Sequence, residues 1–401
     1  MTYIFTYNLM NDKRRKKFSV RGMNVMIYFD YAATTPMSNE ALKAYIEVAQ
    51  KYYGNTNSLH DLGAQSEQLL EQCKGTLANL IGGEREGIYF TNGGSESNML
   101  GIKLLLNQDN RKHIIISTAE HNSNHQITRF LELEGYKVSH IPFTRNGQID
   151  IDFLKYEITN DTALVIVQHI NGEIGTIQPI NEVAEICKRH DIFLHVDCVQ
   201  SFGKIDLKNI SPVVDSLSVS SHKIYGPKGI GFLYTNHQPT TSLEQLILHG
   251  NTYDLPGIVS FTVAANEAIE LMESEKKQLI ELREAFIEQL EPIKEFITIY
   301  ENKNQKQLPS IIGMAIEGIE GQWVMLECNR QGYAISTGSA CDVKYNQTPN
   351  TLRALQEDEI KAKGFFRISF GRQTNMNQVK ELGRFLVAMT LQYKGTVELN
   401  P

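Results

Sequence analysis

No stretch of this 401-residue chain approaches the roughly 20 consecutive apolar residues that span a bilayer, so no transmembrane helix and no membrane partner is expected. Cysteine is sparse: Cys73, Cys187, Cys198, Cys328 and Cys341 are scattered, with no CxxC pair. That spacing leaves neither a zinc site nor a disulfide framework, predicts no metal, and suits a reducing cytoplasm. Positive charge is not in excess either. A net charge of -7 argues against a general nucleic-acid surface. Internal repeats and low-complexity tracts are missing, which excludes solenoids and biased linkers.

What is present is ordinary for a soluble globular protein: 41% hydrophobic and 21% charged residues, in a chain long enough for two domains. The N-terminus stands apart. A basic run, Lys13 to Lys17, precedes the patterned sequence that begins near Ile27, and a secretory signal would carry its charges ahead of a continuous apolar core. Residues 1–26 are therefore expected to be a disordered extension, or translation upstream of a start at Met26, rather than a transit peptide.

From about residue 87 to 235, short apolar runs alternate with helical patterns. "GIYFT", "HIIIST", "YKVSHIPF", "ALVIVQH", "IFLHVD", "DSLSVS" and "GIGFLYT" read as strands, with "SESNMLGIKLLL" and "INEVAEICKRH" as helices between them. The alternation predicts a mostly parallel sheet covered on both faces, a three-layer α/β sandwich. Such sheets bind ligands beyond the carboxyl ends of their strands. Polar residues fall at those ends: Thr91 to Ser97, Glu120 and His121, Asn171, Asp197 and Gln200, then Ser220, His222 and Lys223. The pattern changes after residue 260. An amphipathic stretch from Phe261 to about Leu290 reads as a helix, followed by the strands "FITIY", "IIGMAIE" and "FFRISFG". The expected division is a large domain over 27–260 and a smaller α+β domain over 261–401, which the N-terminal segment helps complete.

Three constellations carry chemistry. In "TNGGSESN", Gly93-Gly94 before Ser95 at a helix start would leave backbone N–H groups free for an anion, although alone the motif reads equally as a turn and cap. Asp197 closes a very apolar strand, where a carboxylate needs either an ion-pair or capping role or a cationic partner such as a protonated heteroaromatic nitrogen. Lys223 stands beside Ser220 and His222 at a strand end, where partial desolvation would leave it reactive as the free amine. With His121 as a flat ring to stack, these groups together outline a pyridoxal-phosphate site.

With these motifs in place, the sequence resembles the NifS/IscS-type cysteine desulfurases of the class V aminotransferase family, fold-type I pyridoxal-phosphate enzymes. The resemblance runs from about Ile27 to the C-terminus through "DYAATTP", "FTNGGSESN", "AEH", "NGEIGTIQPI", "HVDCVQSFGK", "SVSSHKIYGPKGIG", "STGSAC" and "FRISFGRQT". It implies that Lys223 bonds covalently to the cofactor, Asp197 pairs with the ring nitrogen, His121 stacks on the ring and Gln200 donates to the ring hydroxyl. Gly94, Ser95, Ser220 and His222 would hold the phosphate, and Asn171 and Arg367 the substrate carboxylate. Cys341, in "AISTGSACDVKYNQTPN", would sit on a mobile loop and take the sulfur of L-cysteine as a persulfide, releasing alanine. The other four cysteines read as small buried hydrophobes.

The resemblance further implies a homodimer, with Thr252 reaching the phosphate of the neighbouring subunit's cofactor. It also implies a sulfur acceptor: an iron–sulfur scaffold, a tRNA-thiolation enzyme or a client apoenzyme. One departure stands out. "LHGNTYDLPGIVSFT" lacks the His-Glu and Arg-Ser-Gly portions of the Gly-rich loop usual at this place. The alternatives are an aminotransferase or selenocysteine lyase of the same fold, or a sulfur-relay scaffold with impaired catalysis.

Overall fold

The computed structural model describes residues 26–239, 252–302, 306–338 and 349–398. The extension expected before Met26, the Cys341 loop and the first part of the shortened loop lie outside the described residues.

A short strand β1 (Ile27–Tyr28) leads into helices α1 (Asn39–Lys51) and α2 (Asp61–Ile81). The alternating region then follows: β2 (Ile88–Thr91), α3 (Gly94–Leu106), β3 (His113–Ser117), α4 (Asn122–Leu133), β4 (Lys137–Ile141), α5 (Ile151–Glu157), β5 (Thr162–Gln168), α6 (Ile180–Arg189), β6 (Phe193–Asp197), β7 (Ser216–Ser220) and β8 (Gly231–Thr235). The long helix α7 (Leu255–Gln289) precedes β9 (Ile297–Tyr300), β10 (Ile311–Ile316), α8 (Gly321–Arg330), β11 (Tyr333–Ala334), α9 (Asn350–Ala354), α10 (Glu359–Lys363), β12 (Phe365–Ser369) and α11 (Met376–Glu398).

The main sheet has seven strands in the order β2-β8-β7-β6-β5-β3-β4. The pairs β7/β6, β6/β5, β5/β3 and β3/β4 are parallel, whereas β8 runs antiparallel to both β7 and β2. Every residue of β5, TALVIVQ, is buried, as expected of a parallel strand covered on both faces. The smaller sheet is antiparallel, in the order β12-β10-β9, and β1 pairs in parallel with β11 nearby. The fold is α/β, with a large mostly parallel sheet and a smaller antiparallel one.

Each strand expected in the alternating region is present, with ends shifted by at most two residues. The long helix differs, starting at Leu255 rather than Phe261. Pro256 occupies the first turn, where its missing N–H costs nothing, and Asp254 caps the helix by accepting from the Gly257 N–H at 3.1 Å. The N-terminal half of α7 packs on α1 and α2 and enters the core under the large sheet through Phe261, Ala265 and Ala268; its C-terminal half adds Leu282 and Phe286 to the core of the small sheet.

Two glycines set the distance between the sheet and the first crossover helix. Gly93 has φ of 134°, a conformation strained for any side chain, and opens α3. A Cβ on Gly231 would lie 2.4 Å from the Val219 carbonyl oxygen and 2.8 Å from the Gly93 Cα, so the Gly93 turn rests directly on β8.

Phe261 is fully buried, with its ring 6.1 Å from Phe202 and 5.8 Å from Phe232. Phe261→Ala is expected to lower the unfolding free energy by about 3–5 kcal/mol in urea denaturation, whereas Leu133→Ala, at an exposed position, should stay within about 0.5 kcal/mol.

Candidate active site

The carboxyl ends of five strands converge on one cavity of about 300 Å³. Its lining includes Gly94 and Ser95 after β2, Glu120 and His121 after β3, Asn171 after β5, Asp197 and Gln200 at the end of β6, and Ser220, His222 and Lys223 at the end of β7. Arg367 enters from β12 in the small sheet. Of the residues picked out from the sequence, Thr252 is exposed and does not line this cavity, and Cys341 lies outside the described residues.

Lys223 ends a short turn, Ser221–Lys223, that continues β7. Its Nζ donates to the carbonyl oxygens of Ala32 at 2.6 Å and Ala33 at 2.8 Å. Both partners are neutral, so they replace water without repaying the full cost of desolvating a charge. Burial, and behind it the Arg367 guanidinium, lowers the amine to about 7, against the weaker pull of Asp30 and Asp197. Tyr225, two residues on, has φ of 66°. The strain is held by Thr35, whose Oγ1 accepts the Tyr225 N–H at 2.7 Å, and by Arg372, whose N–H donates to the Tyr225 hydroxyl at 2.6 Å.

Asp197 is held at both oxygens: Oδ1 accepts the Val199 N–H at 2.9 Å and Oδ2 accepts from Asn98 Nδ2 at 2.9 Å. The Asn98 Oδ1 in turn lies 3.1 Å from His195 Nε2, and His195 Nδ1 lies 2.7 Å from Ser216 Oγ. Burial lowers His195 to about 3, so its ring is neutral, donates to Asn98 from Nε2 and accepts the Ser216 hydroxyl at Nδ1. Asn98 is thereby locked with its NH₂ toward Asp197. Asn98 lies in the TNGGSESN motif without a role legible there; the available signal was a polar residue one turn after Ser95 on the same helix. Glu120, fully buried nearby, accepts from the Gln168 N–H at 2.6 Å and from Asn124 Nδ2 at 2.9 Å, and burial, then the Asp197 charge, pushes it well above the ordinary carboxyl range.

At the anion end, the first turn of α3 and the hydroxyls of Ser95 and Ser220 border the cavity, and neither hydroxyl has a hydrogen bond to another described residue. His222 Nδ1 lies 3.1 Å from Thr34 Oγ1, and burial, then the Lys223 charge, lowers this ring to about 4. His121 caps α4, accepting the Ser123 N–H at 3.2 Å, which fixes the ring at the cavity rim.

Arg367, expected to hold a substrate carboxylate, is engaged within the protein: Nη2 pairs with Asp30 Oδ1 at 2.7 Å and Nη1 donates to the Gly172 carbonyl oxygen at 2.8 Å. Its Nε is buried with no partner among the described residues. Asn171 uses its amide within the protein, donating to Thr351 Oγ1 at 2.8 Å and accepting the Glu173 and Ile174 N–H groups at 2.9 Å each. Cys73, Cys187, Cys198 and Cys328 are buried, as expected, and burial raises each thiol above its ordinary pKa.

The sequence profile of the family described as aminotransferase class-V matches residues 27–382. A Bacillus subtilis protein named putative cysteine desulfurase NifS is 41% identical over 94% of this chain and 97% of its own length. Among solved structures, a NifS-like protein superposes with a TM-score of 0.82 at 27% identity, covering 92% of this chain and all of that one. SspA in complex with cysteine gives 0.74 at 30% identity, covering 86% of this chain and 98% of that one.

The Lys223 environment has a direct chemical consequence. A base whose pKa falls to about 7 is unprotonated, and so nucleophilic, above that pH. Brief acetylation of the cofactor-free protein, read by peptide mass spectrometry, should show Lys223 labelling rising through pH about 7. Labelling that rises only near pH 10, as for a solvated lysine, would contradict the desolvation described above.

Proposed function

This chain belongs to the aminotransferase class-V family, and we propose that it is a pyridoxal-phosphate-dependent cysteine desulfurase, converting L-cysteine to L-alanine and passing the sulfur through Cys341 to an acceptor. The observation that carries the reading is Lys223: an amine drawn toward its neutral form at a strand end, in one cavity with a doubly held aspartate and a helix-start anion cup. The desulfurase names of the relatives and the cysteine complex of SspA support the substrate.

The residues present fit the cofactor. The hydroxyls of Ser95 and Ser220, without a partner among the described residues, and the first turn of α3 suit a phosphate, and Ala119 and Val199 give the cavity apolar wall for a flat ring. When bound, pyridoxal phosphate supplies a protonated ring that withdraws electrons from the Cα of an attached amino acid. Asp197, oriented by Asn98, would hold the proton on the ring nitrogen. His121 would stack on the ring, and Gln200 would donate to its hydroxyl. Lys223, near neutrality, can hold or release a proton at Nζ. Arg367, braced by Asp30 and Gly172, orients the substrate carboxylate, with Asn171 beside it.

The net exchange balances: L-cysteine and the Cys341 thiol give L-alanine and a Cys341 persulfide, the sulfur leaving one carbon for another sulfur. An acceptor thiol or cluster-assembly protein then takes the terminal sulfur. Thr252, exposed and apart from this chain's own cavity, would serve a cofactor in a second subunit, so the working unit is a homodimer.

Incubation with L-cysteine should yield alanine and protein-bound persulfide. Cys341→Ala should retain the visible absorption band of the loaded cofactor and reduce persulfide to background; an aminotransferase would keep turning over. Lys223→Ala should lose the band set by the covalent lysine link, and protein that never acquires a band when supplied with cofactor would overturn the reading in favour of a scaffold.

A further inference from the structure

Next to the active-site cavity lies a second, smaller one of about 140 Å³, between the two sheets, which shares Ala32 and Lys223 with the first. Among its lining residues are Lys204, Glu275 and Lys276. Lys204 is not used by the chemistry above, yet its Nζ donates to Gln200 Oε1 at 2.8 Å. The other end of the same amide, Nε2, donates to the Ala32 carbonyl oxygen at 2.8 Å, the oxygen that also accepts from Lys223. The amide also packs on Gly172, where a Cβ would come within 3.2 Å of Nε2.

We propose that Lys204 is a positioning residue that fixes the Gln200 amide with its NH₂ end toward the cofactor cavity. The assignment follows from donor and acceptor chemistry at both ends. A lysine amine at this place donates and a main-chain carbonyl only accepts, so the atom facing Lys204 must be oxygen and the atom facing Ala32 must be nitrogen. Without Lys204, Oε1 loses its donor, and the Ala32 bond alone is left to oppose an amide flip that presents a carbonyl to the cavity.

As an ammonium Lys204 can only donate, whereas the neutral amine donates but also carries an acceptor lone pair, so the protonated form holds the amide more strictly. Burial, then the charges of Lys223 and Arg367, lowers it to about 7, with Glu275 pulling the other way. The inference rests on the pyridoxal-phosphate reading and deepens it: the ring hydroxyl is the group that an outward NH₂ would meet. A donor there draws negative charge from the ring oxygen. Its loss leaves the covalent lysine nitrogen beside that oxygen more basic, and the visible band should change with pH at a higher midpoint.

The experiment is a pH titration of the visible band in cofactor-loaded wild type, Lys204→Met, Gln200→Met and the double variant. Both single variants should raise the midpoint by about 1 pH unit, and the double variant should move it no further than Gln200→Met alone, because the two residues act through one donor. Lys204→Arg, which keeps a donor, should stay within about 0.3 pH unit of wild type. Should Lys204→Met fail to fold or load, Lys204→Gln, whose amide is too short to span the same gap, gives the same readout. A wild-type midpoint in the Lys204 variant beside a shifted Gln200 variant, additive shifts, or no shift in either single variant would overturn the inference while leaving the enzyme reading intact. A wild-type protein with no band would overturn both.

Discussion

The structure turns on how one amine is removed from water. Lys223 could have been neutralised by a carboxylate, which would have kept it charged. Instead it donates to two main-chain carbonyl oxygens, Ala32 and Ala33, and the Arg367 guanidinium disfavours its charged form. Neutral acceptors satisfy the hydrogens of an amine without favouring its protonated form as an anion would. The segment that supplies those carbonyls is therefore as much part of the site as the lysine. Residues 30–38 are pinned to the lysine turn by the Thr35 N–H on the His222 carbonyl at 2.9 Å and the Ser38 N–H on the Tyr225 carbonyl at 2.8 Å. They are pinned to the small sheet by the Ala32 N–H on Ser369 Oγ at 2.9 Å.

That strap explains the arrangement of charge. Asp30, Ala32 and Ala33 lie within four positions, and through them one turn of chain braces Arg367 and desolvates Lys223. A buried guanidinium with no anion would be costly, so Asp30 stabilises Arg367 in the absence of a carboxylate ligand. The unpartnered Nε leaves part of the guanidinium unsatisfied. The pair thus holds the fork in place without exhausting its donors.

Much of this was legible in the sequence because the βα alternation puts polar residues at strand ends, and strand ends of a parallel sheet share one edge. Ser95, His121, Asn171, Asp197, Gln200, Ser220, His222 and Lys223 could be gathered that way without knowing any contact. What the pattern could not show were partners joined across the chain. Asp30 meets Arg367 across 337 positions and Asn98 meets Asp197 across 99, and no local periodicity encodes either pairing. Lys204 is different: it follows Gln200 by four residues within a run of turns, so that contact is local. The start of α7 was misplaced for a local reason, since Pro256 is a breaker inside a helix and a good first-turn residue at its start.

The two sheets contribute unequal parts of the cavity, so its shape depends on their relative placement. The large sheet carries Lys223, Asp197, Ser95 and Ser220; the small sheet carries Arg367 on β12. A change in the angle between them would separate Arg367 from Lys223. Three connections oppose it: α7 buries its two halves in the two cores, the 30–38 strap bonds to both, and Arg372, just past β12, clamps the large-sheet side. Arg372 pairs with Glu267 at 2.7 Å and with Glu275, and its guanidinium lies 4.2 Å from the centre of the Tyr225 ring. Because Tyr225 follows Lys223 by two residues and is held at positive φ, the clamp acts on the lysine turn itself. Arg367, in the middle of β12, and Arg372, three residues beyond its end, are therefore mechanically continuous with the lysine turn.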